Sequence, residues 1–370
     1  MENRPLSRSR IIGTKMSGRA PPIKSVLVFL RSKTENPDFF FKMKRAGNLI
    51  ERITNIDNLY LAFYKAQRGK SAKDEALKYR ENLHENIKIL QSQIQADKVD
   101  VGNYHYFTIF DPKVRLICAA AFSERVLHHA LMNVCHSYFE KNMIFDTYAT
   151  RLNKGTYKAL DKACKGMKQY QYVAKLDVRK YFDHISHEIL KHKLKRIFKD
   201  EILLKILSQI IDSYSIEKNQ GLPIGNLSSQ YFANFYLSSI DHYAKEILQI
   251  PMYIRYMDDI LLFSNEKQIL KKNIDILENK MQIELHLSLK LAVIHHCTKG
   301  ISFLGYHLFP NKILLHRNSK KRFLQKMKQY NQKLKNQQWS EKEYQNHITP
   351  LLAFVKKAYT KILRKKYCEL

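Results

Sequence analysis

Hydrophobic positions along the chain follow two periods, which divide it into helical and β-type segments. Helical spacing runs through residues 44–98, where Asp57 is a candidate N-cap and Ser71 with Asp74 resembles a capping box. Further along, short β-type runs alternate with helical segments. The runs are 171–178, 252–263, 285–294 and 301–309, and the helical segments are 184–214, 226–247 and 265–282. This alternation predicts an α+β fold in which helices cover one face of a sheet.

The last part of the chain combines helical spacing with an excess of positive charge. Apolar side chains recur there among lysines and arginines, at Phe323, Met327, Tyr330 and Leu334. Ser340 with Glu343 predicts the start of a second helix, and Thr349-Pro350 predicts the start of a third. A basic helical bundle of this kind suits the backbone of a nucleic acid, and a solvated bundle that binds nothing is the alternative.

These changes of pattern predict three regions behind an N-terminal extension. Residues 1–42 have no sustained period and more basic than acidic residues, so we expect a basic, disordered extension, with Met43 as an alternative start. Residues 43–170 form a mainly helical region, residues 171–310 a mixed region, and residues 311–370 a helical one.

The net charge is the most informative property of the composition. The chain has 64 Lys and Arg against 34 Asp and Glu, which gives a net charge of +30. Such an excess favours a polyanion as partner, nucleic acid above all; a lysine-rich composition without a special role is the alternative. The five cysteines form no CxxC pair, which argues against a disulfide framework and a zinc site. No apolar run reaches the ~20 residues of a membrane helix, so we expect a cytoplasmic protein without a membrane partner.

Three acids stand within or at the end of apolar β-type runs. Asp177 ends the run YVAKLD (172–177), and Asp258 and Asp259 interrupt YIRYMDDILLF (253–263). If the two strands lie side by side, the three carboxylates converge and repel one another unless divalent cations neutralise them. Each acid alone is more typical of a turn, a helix cap or a strand end.

Oxygen ligands of this kind favour magnesium. Mg²⁺ prefers carboxylates completed by water and substrate phosphates. Two such ions, which Mn²⁺ can replace, activate a 3′-hydroxyl and stabilise a leaving pyrophosphate. The three acids therefore suggest a two-metal site that acts on a nucleotide.

Taken in order, the motifs resemble those of the prokaryotic reverse transcriptases, from about residue 44 to the C-terminus. LDVRKYFDHI (176–185) is similar to the first metal motif of that family, and YMDD (256–259) is similar to the second. The resemblance implies a right-hand polymerase with fingers in the first region, a palm in the second and a thumb in the third. It also implies catalytic roles for the three acids. The implied metal ligands are Asp177, Val178, Asp258 and Asp259.

QGLPIGNLSSQYFANFYLSSID (220–241) resembles the template–nucleotide platform of the same family. The implied nucleotide contacts are Phe182, Ile224, Gly225 and Gln230, with Pro223 beside the template. An aromatic wall at Phe182 excludes a ribose 2′-hydroxyl but tolerates deoxyribose; a core aromatic is the alternative. Ile224 stands where high-fidelity viral relatives carry glutamine, a departure typical of the error-prone enzymes of diversity-generating retroelements and of other bacterial groups.

The resemblance implies further contacts in the fingers, the palm and the primer grip. Lys290 is a candidate proton donor to the departing pyrophosphate, and Lys113 and Arg115 are candidate triphosphate contacts. Candidate template or primer contacts are Arg151, Lys154, Gly155, Tyr256, Met257, Leu304, Gly305 and Tyr306. For each basic residue, a solvated surface charge is the alternative.

The sequence as a whole predicts an RNA-directed DNA polymerase that extends a primer with dNTPs on an RNA template and yields cDNA. The first choice within that class is the diversity-generating retroelement type, with a structured non-coding RNA and a small basic accessory protein as expected partners. An antiviral defence enzyme with its own non-coding RNA is the alternative. An inactive nucleic-acid-binding protein with the same fold is a further one.

Overall fold

The computed structural model describes residues 44–110 and 114–368. Of the two units into which the chain divides, the second, Arg45–Leu370, is compact and contains almost all of the described residues. The extension at 1–42, the alternative start at Met43 and the candidate contact Lys113 lie outside the described residues. The predicted divisions at 170 and 310 stay predictions.

Four short helices open the second unit. They are α1 (Ile50–Thr54), α2 (Ile56–Ala66), α3 (Asp74–Glu81) and α4 (Leu83–Gln95). The N-cap prediction for Asp57 is wrong, because the Asn55 side chain accepts from the first-turn N–H groups of α2. The capping box at Ser71 is also wrong, since Lys73 precedes α3 and no side chain caps it.

A two-stranded hairpin and a long helix complete the N-terminal part. Strands β1 (Tyr104–Ile109) and β2 (Arg115–Ala120) pair antiparallel, and α5 (Phe122–Lys141) follows directly. One face of α5 packs against α2, and Val126, Ala130 and Leu131 on this helix are fully buried. Helix α6 (Thr156–Gln169) then leads into the central sheet.

The central sheet has four antiparallel strands in the order β4-β5-β3-β6. The strands are β3 (Tyr172–Asp177), β4 (Met252–Tyr256), β5 (Asp259–Ser264) and β6 (Val293–His296). The predicted runs at 171–178 and 252–263 are confirmed, the second as a hairpin. The run predicted at 285–294 is wrong over most of its length, because a helix extends to Leu285 and only the last residues join the sheet.

Helices cover both faces of this sheet, which corrects the prediction of one covered face. Val173, Leu261 and Phe263 pack on one side against buried residues of α6. Ala174, Leu176, Ile260 and Leu262 belong to the large core on the other side. That core includes α7 (His187–Ile197), α8 (Glu201–Asp212), α9 (Leu227–Tyr236), α10 (Ser238–His242) and α11 (Lys267–Leu285). The near-continuous apolar character of β5 follows from this double burial.

A small sheet and three helices, of which the first and the last are strongly basic, form the C-terminal part. The sheet contains β7 (Ile301–Phe303), β8 (Tyr306–Leu308) and β9 (Ile313–Leu315), and the helices are α12 (Arg317–Lys335), α13 (Glu341–Lys356) and α14 (Lys361–Cys368). Phe323, Met327, Ile348 and Val355 form their common core.

The helix starts in this part test two capping predictions. The capping box of Ser340 and Glu343 is confirmed. The start predicted at Thr349-Pro350 is wrong, since Pro350 lies inside α13 and the third helix begins at Lys361. The predicted α+β architecture, with an antiparallel palm sheet and a helical thumb, is confirmed.

A buried ion pair joins the palm sheet to the helices behind it. Arg255 on β4 and Asp241 on α10 are both fully buried, and Arg255 Nη2 donates to Asp241 Oδ2 over 2.6 Å. Arg255 also donates to the side-chain and backbone oxygens of Asn234, at 2.9 Å each, and Tyr253 donates to the same aspartate. With its donors so well matched, the guanidinium is stable in a core that would otherwise exclude it.

No helix among the described residues combines the length and the apolar content that crossing a membrane requires.

Replacing Asp241 tests how much this ion pair contributes to the free energy of unfolding. We expect Asp241→Asn to lower the free energy of unfolding by about 3 to 5 kcal/mol, because it leaves a buried guanidinium without its counter-charge. Urea unfolding followed by circular dichroism measures the loss. The matched control is Asp161→Asn, which breaks the half-exposed pair with Lys357 and should cost less than about 1 kcal/mol. Equal losses in both variants would contradict the structural role given to the buried pair.

Candidate active site

Strand register brings the three predicted acids to one edge of the palm sheet. Asp177 is the last residue of β3, and its partner across the ladder is Asp259, the first residue of β5. Asp258 lies in the turn between β4 and β5, where Tyr256 pairs with Asp259. Residues directly opposite on antiparallel strands have Cβ atoms about 5 Å apart, so the carboxylates face one another.

Charge repulsion and burial act together on these acids. The pKa of Asp258 is raised first by burial, next by the charge of Asp259, and also by Asp177. A raised carboxyl pKa means that the folded chain stabilises the ionised form less well than water does. The site therefore favours a bound cation.

Two lysines supply positive charge in the structure. Lys290 Nζ donates to Asp177 Oδ1 over 2.6 Å, and the backbone N–H of Lys290 donates to the Asp177 carbonyl. Lys175 Nζ lies 2.9 Å from Asp259 Oδ1. That second contact lacks hydrogen-bond geometry, so this buried carboxylate oxygen has no hydrogen-bond donor.

The donor set fits a hard divalent cation. Within 44–110 and 114–368, no three His, Cys, Asp or Glu side chains are already arranged around a metal position, and Lys290 and Lys175 contact two of the three acids. The raised pKa of Asp258 and the undonated oxygen of Asp259 both leave ligand capacity. Val178 is buried and bridges to Leu289 beside the acids. Carboxylate oxygens are the ligands that Mg²⁺ takes.

The turn that carries Asp258 has an unusual backbone conformation, which a hydrogen bond from Arg255 stabilises. Met257 has a φ of 54°, in the left-handed region that a residue with a Cβ rarely adopts. Arg255 Nη1 donates to the Met257 carbonyl over 3.0 Å. The buried ion pair thus extends its hydrogen bonds to the turn itself. Tyr256 accepts a hydrogen bond from Thr156 on the other side.

The platform loop, residues 220–226, lies between the segment after Asp177 and the β1–β2 hairpin. Phe182 is half-buried, and its carbonyl accepts from Leu222 N over 2.9 Å. Cys118 N on β2 donates to the Ile224 carbonyl over 2.8 Å. Gly225 has a φ of +129°, and a Cβ there would lie 2.8 Å from Ile117 Cγ2, so only glycine fits without displacement.

The other predicted nucleotide contacts occupy different surroundings. Pro223 is buried within the loop, and Arg115 is exposed on β2. Gln230 is exposed on the first turn of α9, where it lines a basic cavity together with Gly225.

Two of the three predicted template contacts around 151–155 are engaged inside the protein. The Arg151 guanidinium is largely buried, pairs with Glu140 at 3.1 Å and donates to the Ile144 carbonyl. Lys154 donates to the Phe145 carbonyl and lies over the Phe145 ring. Gly155 precedes α6 with a φ of +95°. Arg151 therefore serves to order this loop, because its Nε and Nη1 donors are already used.

The predicted primer-grip residues form the β7–β8 turn. Leu304 and Gly305 both have positive φ, as a tight hairpin requires. Gly305 lies under the thumb, since a Cβ there would lie 3.1 Å from both Phe354 and Ser319. Tyr306 is fully buried, and its hydroxyl donates to the Phe354 carbonyl. Tyr306 thus packs the palm against the thumb, and a primer contact by its side chain has no support in this geometry.

Two residues of the site were missed by the sequence interpretation. Lys175 precedes Asp177 by two positions, so strand alternation already placed both on one face. Arg255 lies in the same apolar run that drew attention to Asp258 and Asp259. In both cases, a charged residue within an apolar run that is expected to be buried could have indicated the role.

Comparison with known proteins identifies the family of the chain. Residues 110–308, more than half of the chain, match the family model described as reverse transcriptase (RNA-dependent DNA polymerase). The chain is 20% identical to the Escherichia coli protein YkfC over 277 residues, which cover 60% of this chain and 72% of that protein. It is also 20% identical to the COX1/OXI3 intron 1 protein of Saccharomyces cerevisiae over 216 residues, or 55% of this chain.

The yeast relatives are much longer than the part of them that matches this chain. The matched part covers 26% of the yeast intron 1 protein and 29% of the intron 2 protein. Among solved structures, apo telomerase from Candida tropicalis aligns with a TM-score of 0.45 at 14% identity, over 59% of this chain and 49% of that one. On the match across residues 110–308, the chain belongs to the reverse transcriptase family.

Proposed function

We propose that the chain is an RNA-directed DNA polymerase that adds dNTPs to the 3′-hydroxyl of a primer on an RNA template. The observation that supports this proposal best is the convergence of Asp177, Asp258 and Asp259 at one edge of the palm sheet. Three acids with an undonated oxygen and a raised Asp258 pKa form a site for cations, and the family match identifies the class of reaction.

The proposed ligands of two Mg²⁺ ions, or Mn²⁺ in their place, are the three carboxylates and the Val178 carbonyl. When bound, these ions supply a more acidic 3′-hydroxyl and charge stabilisation for the leaving pyrophosphate. The chain's own part is to hold the carboxylates on rigid strands, with the turn at Met257 fixed by Arg255. A turn held in this way keeps the acids within the small tolerance that such chemistry requires.

Lys290 has two proposed roles beside these acids. Its ammonium donates to Asp177 Oδ1 over 2.6 Å and balances part of the negative charge of the three acids. Its side chain is also 47% exposed, so it can reach a bound triphosphate. There it would transfer a proton from Nζ to an oxygen of the departing pyrophosphate, which becomes a better leaving group.

Phe182 and Ile224 are proposed to select the incoming nucleotide. Phe182 would present its ring to C2′ of the sugar, where a ribose hydroxyl collides with it. Ile224 offers no hydrogen bond to the sugar or base, so discrimination would rest on shape alone. This apolar side chain is the feature that favours the error-prone, diversity-generating type, together with a structured non-coding RNA and a small basic accessory protein as partners.

Removing the Asp258 carboxylate should lower catalytic activity without lowering the stability of the fold. We expect Asp258→Asn to lower dNTP incorporation on an RNA template by about a thousandfold, because the amide cannot replace the charge at the reacting centre. The same change should leave the folded state at least as stable in metal-free buffer. A raised folded-state pKa means that the ionised acid destabilises the fold above that pKa. Primer extension and urea unfolding report the two effects.

The control for this pair of measurements is Asp161→Asn. This acid lies on α6, is 53% exposed and pairs with Lys357 instead of the three acids, so extension should stay near the wild-type rate. Wild-type extension by Asp258→Asn would overturn the proposed site.

Truncating the proposed gate should admit ribonucleotides. We expect Phe182→Ala to raise rNTP incorporation relative to dNTP by about tenfold or more, since the wall against the 2′-hydroxyl is removed. Single-nucleotide extension with each triphosphate gives the ratio. Phe182→Tyr keeps the ring and serves as control, and an unchanged ratio in Phe182→Ala would assign the ring to the core alone.

A polar side chain at 224 should improve copying. We expect Ile224→Gln to lower the error frequency opposite template adenine, because an amide can hydrogen-bond where isoleucine cannot. Sequencing of extension products gives the error spectrum for both enzymes. An identical spectrum would remove Ile224 from the explanation of fidelity.

A further inference from the structure

A basic cavity lies beside the platform loop. It encloses about 210 Å³ between the C-terminal end of α2, the loop that leads to α3, helix α5 and the start of α9. Lys65, Arg68, Lys70 and Arg125 contribute four positive charges to its lining, and none of the described residues that line it is acidic. Four cations around one small cavity call for an anion.

The charges in this lining are only partly balanced. Arg125 reaches the exposed Glu75 at 3.2 Å, and Lys65 donates to the neutral side chain of Asn133. Burial, and then the neighbouring Arg125, lower the pKa of Lys70. The pKa of His129 is lowered to about 4, by burial first and then by Lys65. The four cationic side chains of the lining therefore outnumber the two acids in contact with it, Glu75 beside Arg125 and Glu124 beside His128.

The start of α9 adds unsatisfied donors. Asn226 precedes this helix, but its side chain does not cap it, because Oδ1 accepts from Ala120 N over 3.0 Å instead. Asn226 lines the cavity and is only 3% exposed. Its Nδ2 group is buried but donates a hydrogen bond to no protein atom. The first N–H groups of a helix have no intrahelical acceptor, and their dipoles attract anions.

A buried histidine gives a second, independent sign of a ligand. His128 lines the cavity and is 1% exposed, and neither ring nitrogen makes a hydrogen bond. Its Nε2 lies 3.3 Å from Glu124 Oε1 without hydrogen-bond geometry. Buried polar groups without hydrogen bonds are uncommon in folded proteins. Asn226 Nδ2 needs an acceptor, and His128 Nδ1, the ring nitrogen that does not face Glu124, is a second polar atom that a ligand in this cavity can satisfy.

We propose that this cavity binds a phosphate group of the RNA strand that passes the Gly225 platform. A liquid water occupies about 30 Å³, so the volume accommodates a phosphate with its flanking sugar atoms. Gly225 and Gln230 belong to the same lining, which connects the cavity to the loop in which Pro223 is expected beside the template. This assignment rests on the proposed function for the identity of the strand, since the triphosphate of a nucleotide carries the same chemistry.

Equilibrium binding tests the cavity without requiring polymerisation. The probe is a fluorescent primer–RNA duplex with a single-stranded 5′ template overhang, compared with the blunt duplex, each titrated with the full chain over a series of salt concentrations. We expect the double variant Arg68→Gln/Lys70→Gln to weaken overhang binding by about tenfold or more and to reduce the salt slope by about 1 to 2. Blunt-duplex binding should change less than twofold.

Two further variants control for charge and folding. Lys78→Gln removes one exposed lysine from α3 outside the cavity and should leave the overhang preference intact. Asn226→Asp keeps the acceptor for Ala120 N and adds a negative charge that favours a helix start, yet it should weaken overhang binding by about tenfold through repulsion of the phosphate. Thermal unfolding verifies that each variant is folded.

The outcomes discriminate between the sources of phosphate. Loss of overhang binding in folded cavity variants supports the proposal even if the chain fails to polymerise, which keeps it separate from the proposed function. A raised KM for dNTP with unchanged overhang binding would assign the cavity to a free nucleotide and overturn the RNA assignment. Unchanged binding and unchanged KM in both cavity variants would overturn the cavity as a phosphate site.

Discussion

The Arg255–Asp241 ion pair is the interaction on which the candidate site depends. One guanidinium, fully buried, joins β4 to α10 through Asp241, to α9 through Asn234 and to the turn at Met257. Because its donors are so well matched, none of these three elements can shift without leaving a donor of the buried guanidinium without its acceptor. The left-handed φ of Met257, which costs free energy by itself, persists because the surrounding hydrogen bonds determine it. Rigid placement of the turn is thus built into the core behind it.

Rigidity at this turn has an electrostatic consequence. Strand register holds Asp177 opposite Asp259, and the turn adds Asp258, so the acids cannot separate to relieve their repulsion. Lys290 and Lys175 offset part of it from the protein's own charges. Ammonium contacts on partly exposed side chains are weak, so a stronger cation can displace them at little cost. The fold therefore holds the three acids together and leaves them able to bind a stronger cation.

Sequence reasoning predicted the elements that have a clear period and missed the features set by single contacts. The runs that became β3 and the β4–β5 hairpin were predicted, and their acids were expected to meet. Covering of both sheet faces was missed, although the continuous apolar run ILLF in β5 already indicated it. The residues that precede helices α2 and α3, Asn55 and Lys73, lie two positions from the predicted caps. This difference decides whether a capping hydrogen bond forms but hardly alters the helical period. The basic cavity was beyond prediction, because α2, α5 and α9 supply it from distant parts of the chain.

Gly225 links the two sites described for this chain. On one side of it, Cys118 N donates to the Ile224 carbonyl, and on the other, Ala120 N donates to the Asn226 side chain. Strand β2 thus supports the loop on both flanks of a glycine that has no room for a Cβ. The same loop is tied to the segment after Asp177, since Leu222 N donates to the Phe182 carbonyl. A strand held in the basic cavity would therefore be positioned through these bonds relative to the proposed gate, and even small displacements of the loop would reach both sites together.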